Sequence, residues 1–109
     1  MLARRLFRFG FENTAEVRAN TRDGTDYESS TGIWIMSDSD EAALEWGKTI
    51  AERLVSYLFE HESDFAYSWA EARFAHWIEK DPSALAAASY LPVVTIGEMP
   101  NLAVLAEDA

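Results

Sequence analysis

Three carboxylates fall close together at Asp23, Asp26 and Glu28, in the stretch Asp-Gly-Thr-Asp-Tyr-Glu. Oxygen-rich loops of this kind can hold a hard divalent cation. An EF-hand loop would need glycine at its sixth position and glutamate at its twelfth; counted from Asp23 these are Glu28 and Trp34, so that motif is excluded. An irregular cation site is left open, against the plainer reading of solvated turn residues. The only imidazoles are His61 and His76, and neither belongs to a paired zinc-binding pattern. His61, flanked by Glu60 and Glu62, falls near an expected helix end, where a protonated ring would suit the dipole. His76 precedes Glu79 by three residues, a spacing at which a carboxylate could orient a general base on a helix. His76, Glu79 and His61 are therefore the candidates for catalysis, although each also reads as structural. No nucleophile elbow, dinucleotide fingerprint or phosphate-binding loop is present, and no cofactor is expected.

The aromatic residues form two groups. Trp34 and Trp46 are expected to meet in the core between a strand and a helix. Tyr67, Trp69, Phe74 and Trp77 form a second cluster, of which Tyr67, Trp69 and Trp77 are candidates for an interaction surface, since Trp and Tyr are enriched in binding hot spots. Base stacking usually needs a positive groove, and here Glu62, Asp64, Glu71, Glu79 and Asp81 oppose it.

Hydrophobic period predicts the elements that must carry these groups. Residues 6–11 alternate, with Phe7, Phe9 and Phe11 on one face, as in a half-buried strand. Residues 13–31 are mostly polar, with a turn at Asp23-Gly24 and either a helix or a strand around Val17. Residues 32–36 read as a strand either covered on both faces or edging the core with one face partly open, and Asp38 with Glu41 has the spacing of a capping box. A long amphipathic helix follows over 40–60, with Gly47 inside its apolar stripe, where close approach of a strand or a ring would account for it. A strand or turn around 65–67, a helix over about 69–79, a short helix capped by Ser83 and reaching residue 89, and a strand over 92–97 complete the reading. The tail, 101–109, is consistent with a short strand or helix. The expected fold is a single α+β domain over residues 1–109. It is a two-layer sandwich: a small, mainly antiparallel sheet packed against one long helix, with additional short helices.

Composition narrows the function classes. A chain of 109 residues that is 49% hydrophobic can build one core, and without cysteine it does so with no disulfide or thiolate metal site. The formal net charge of −10 disfavours nucleic acid and anionic membranes as partners. Residues 1–22 carry five Arg against two Glu, so the remainder carries −13; a basic N-terminal strand lying against acidic neighbours explains the asymmetry. No secretory h-region or membrane span is read, and a cytoplasmic location is expected. The leading expectation is an acidic, non-enzymatic interaction protein for a basic partner, similar in size and charge to immunity or inhibitor proteins. The alternative is a small hydrolase or divalent-metal domain using the 23–28 loop, and a homodimer through the second aromatic cluster is a third option.

Asp26-Tyr27-Glu28-Ser29-Ser30, Glu45-Trp46-Gly47 leading into Ile50-Ala51-Glu52, Trp77-Ile78-Glu79 and the segment from Pro92 to Pro100 together resemble a group of small uncharacterised bacterial proteins. The resemblance covers most of the chain and implies an intact single domain; it implies no activity.

Overall fold

A computed structural model describes residues 1–60 and 68–107. In chain order the elements are β1 (Ala3–Phe11), α1 (Thr14–Asp23), β2 (Ser29–Ser37), α2 (Asp40–Phe59), α3 (Trp69–Ala72), β3 (His76–Glu79), α4 (Pro82–Ala87), β4 (Val93–Thr95) and α5 (Leu102–Glu107). The strands form one sheet in the order β3-β1-β2-β4, with β1 antiparallel to both β2 and β3, and β4 parallel to β2. The sheet is thus mixed but mainly antiparallel, and it packs against the 20-residue α2: the α+β architecture expected. No helix among the described residues is long and apolar enough to cross a membrane.

Alternation along β1 and β2 divides the core. Phe7, Phe9 and Phe11 with Ile33 and Ile35 point toward α2, whose Ala43, Gly47, Ile50, Ala51, Leu54 and Val55 are buried against them. Gly47 lies where any Cβ would run into the Phe7 ring, which explains a glycine in mid-helix. The opposite parity places Leu6 and Trp34 on the other face, where Ala88 and Leu91, beyond the end of α4, bury them. Trp34 Nε1 donates to the Ala88 carbonyl at 2.9 Å, and the Arg4 guanidinium sits 4.3 Å from the Trp34 ring centroid. Trp34 and Trp46 therefore do not meet. They lie on opposite faces of the sheet, Trp46 packing on the α2 side and donating to the Glu98 carbonyl.

Two open alternatives are resolved and three further expectations are revised. The 13–31 stretch contains a helix, because Asn13 and Glu16 complete a capping box at its start and Gly24, at φ 70°, closes its end. Ser39, not Asp38, caps α2, and Asp81, not Ser83, caps α4, with Pro82 at the first helical position. The helix expected over 69–79 is one turn only. Arg73 adopts a left-handed conformation, φ 58°, which ends α3 and turns the chain into β3. The tail resolves as the helix α5, whose Leu105 is fully buried. The strand or turn expected around 65–67 lies outside the described residues.

Candidate functional site

The carboxylate loop is organised by an asparagine. Asn20, near the end of α1, donates through Nδ2 to Glu12 at 2.6 Å and to the Tyr27 carbonyl at 2.9 Å. Its Oδ1 accepts from the Thr25 hydroxyl and the Tyr27 amide, both at 2.8 Å. These bonds fold the 20–27 segment back on itself and leave the acids outside. Asp23 pairs with the adjacent Arg22 at 2.9 Å, Asp26 is exposed, and the exposed Glu28 lays its carboxylate over the backbone of Gly10. Among the described residues no three His, Cys, Asp or Glu side chains gather as a metal site would require. The role of Asn20 was open to sequence reading only as a polar residue one turn before a glycine.

His76 and Glu79 are separated by the strand that holds them. A spacing of three places two side chains on one face of a helix but on opposite faces of a strand. In β3, His76 pairs with Phe9 and faces the α2 side, whereas Glu79 pairs with Leu6 and faces the other. The imidazole is half-buried, with its centroid 5.3 Å from that of Trp69 and 6.3 Å from that of Phe7. Its Nδ1 lies 3.0 Å from the Phe74 carbonyl, an acceptor only, so Nδ1 is the protonated nitrogen. Glu79 accepts from Trp77 Nε1 and from the backbone amides of Lys80 and Asp81. The Trp77 bond above all, then the Asp81 amide, holds its carboxyl below the ordinary glutamate range, and Arg8 adds to the effect. Glu79 is thereby kept as a carboxylate, which suits an acceptor and not a proton donor.

Of the proposed interaction residues, Trp69 is core. It is 3% exposed, meets Phe9 edge-on, and donates to the Gly10 carbonyl at 2.8 Å. Glu52 of α2 caps the turn that carries it, accepting from the Ala70 amide at 2.7 Å. Trp77, by contrast, is 41% exposed on β3. His61 and Tyr67 lie outside the described residues.

A cleft of about 530 Å³ opens between α2 and α5, lined by Arg53, Ser56, Tyr57, Glu60 and Leu102. None of the sequence candidates among the described residues lines it.

Two cations converge on one carboxylate. Arg5 of β1 reaches Asp40 at 2.8 Å, and Lys80 reaches the other oxygen of the same carboxylate at 2.6 Å. Lys80 first, then Arg5, holds the Asp40 carboxyl below the ordinary range. Lys48 pairs with Glu45, Arg22 with Asp23, and the N-terminal amine with Asp38. The basic N-terminal strand does lie against acidic neighbours, as its charge implied. Comparison with known protein families, with curated proteins and with solved structures finds no match to this chain.

Proposed function

We propose that this protein is a non-enzymatic acidic interaction module that binds a basic protein partner, in the manner of an immunity protein or inhibitor. The supporting observation is how the charge is spent. The chain has nine basic and nineteen acidic residues. Arg5, Arg22, Lys48 and Lys80 are each engaged by carboxylates of the same chain. Asp26, Glu28, Glu41, Asp81 and Glu98 stand exposed, spread over several elements rather than converging. A surface of this kind presents a broad negative potential, which accelerates encounter with a basic partner and discourages acidic ones. Among the described residues, the 23–28 carboxylates and the His76–Glu79 pair offer the hydrolase reading no shared cluster. Stopped-flow association with a basic protein crosslinked to this chain in the source cell tests the proposal: the association rate should fall by about tenfold or more between ~50 mM and ~300 mM salt.

A further inference from the structure

The two edges of the sheet are finished in different ways. On β4 the residues that bond to β2 are those around Val94: Pro92 accepts from the Trp34 amide and Ile96 donates to the Met36 carbonyl. Thr95 therefore faces outward, and Glu98 takes both of its backbone groups. The Glu98 carboxylate accepts from the Thr95 amide at 2.7 Å, and the Glu98 amide donates to the Thr95 carbonyl at 2.9 Å. This edge is closed over Thr95 by its own turn.

Among the described residues, the β3 edge is closed only at its ends. Gly10 donates to the Ala75 carbonyl, so in an antiparallel ladder Ala75, Trp77 and Glu79 bond toward β1 while His76 and Ile78 direct their N–H and C=O groups outward. The outward carbonyl before them, on Phe74, is taken by the His76 ring, and the outward amide after them, on Lys80, by the Glu79 carboxylate. No strand among the described residues pairs with this edge. In a chain of net charge −10, the 73–81 segment holds two basic residues, Arg73 and Lys80, against two acidic ones, Glu79 and Asp81. It is a locally neutral strip bearing the exposed Trp77. Arg73 and Asp81 have no ion-pair partner among the described residues.

The geometry points to a second copy of this chain as the occupant, joined through antiparallel β3–β3 pairing about a twofold axis at Trp77. In that register His76 of one protomer exchanges both backbone bonds with Ile78 of the other, and the reverse. Sliding one strand by two residues either way, the smallest slip that keeps outward groups facing one another, would set an open group against one already capped. Trp77 then meets its own symmetry mate in the close, non-hydrogen-bonded pair, where facing side chains interact most strongly. At the ends of the shared ladder Arg73 is brought beside Asp81 of the other protomer, twice by symmetry, so opposite charges face each other. The two sheets become one continuous sheet across the dimer.

Sedimentation velocity on the full chain, from about 10 μM to about 1 mM at ~0.15 M salt, reads this directly. A monomer–dimer equilibrium is expected. Arg73→Glu, which sets like charges against Asp81, should weaken it by about tenfold. Adding Asp81→Asn, which keeps a good helix cap for α4, should restore about threefold or more of that loss. Trp77→Lys should leave a monomer whose circular dichroism and melting match the parent. A monomer throughout the range, or a dimer indifferent to Arg73→Glu and Trp77→Lys, overturns the inference. The outcome is separable from that of the proposed function, since a neutral strip predicts a dimer that survives added salt while partner association slows.

Discussion

At the scale of single residues, two positions show how packing and charge decide what a side chain does. Gly47 costs α2 roughly 1 kcal/mol of helix propensity relative to alanine. The Phe7 ring nevertheless occupies the space a Cβ would need. Overpacking of this kind typically costs about 1–3 kcal/mol, so Gly47→Ala should destabilise the protein despite the better propensity. Chemical denaturation checks the sign, and Phe7→Leu in the same chain should recover part of the loss; a more stable Gly47→Ala variant would refute the packing account. Asp40 makes a pH argument. Its carboxyl is held low by Lys80 and Arg5, so the contribution is present above the unfolded-state pKa and is lost as pH falls through the lower folded value. Asp40 is 46% exposed, which limits its size through solvent screening. Asp40→Asn should lower stability near neutral pH and flatten the acid limb of the stability curve between about pH 5 and pH 2. An unchanged acid limb in urea titrations would contradict this assignment.

At the scale of elements, Glu98 is the clearest case of one residue finishing a strand. Glu98→Ala leaves the outward Thr95 amide without its acceptor, and hydrogen exchange at that amide should accelerate by about tenfold, while Glu98→Gln should retain most of the protection. Equal exchange in both variants would show that the turn, and not the carboxylate, closes the edge. Elements with a long, regular period were legible from sequence: β1 from its alternating phenylalanines, β2 from its run of large apolar residues, and α2 from its stripe. The 69–79 segment was not legible. Phe74, Trp77 and Ile78 carry a helical spacing, but the break comes from Arg73 in a left-handed conformation, which no glycine announces. That one turn changes the site, because it converts His76 and Glu79 from neighbours on a helix face into groups on opposite faces of a sheet. Trp34 and Trp46 were misplaced for a related reason: β2 is buried on both faces, so an apolar residue in it does not reveal which face it serves. The carboxylate loop was legible as a turn, whereas the Asn20 bonds that shape it reach across seven residues and leave no periodic trace.

At the scale of the whole molecule, the charge is the feature most readable from sequence and the one on which the proposed function rests. The sum gives the sign of the field, and the fold adds where it is relieved. Arg5 and Lys80 converge on Asp40, which holds the start of β1 to the start of α2. The acids left exposed face solvent on several sides, while along the 73–81 strip Glu79 and Asp81 are balanced by Arg73 and Lys80. The two proposals assign the molecule two kinds of contact, a field that acts at a distance and an edge that acts on touching. The measurement closest to the central claim is the association rate of the full chain with its crosslinked basic partner as a function of salt. The account predicts a steep fall in that rate with rising ionic strength, with little change in the dissociation rate. An association rate indifferent to salt would contradict it.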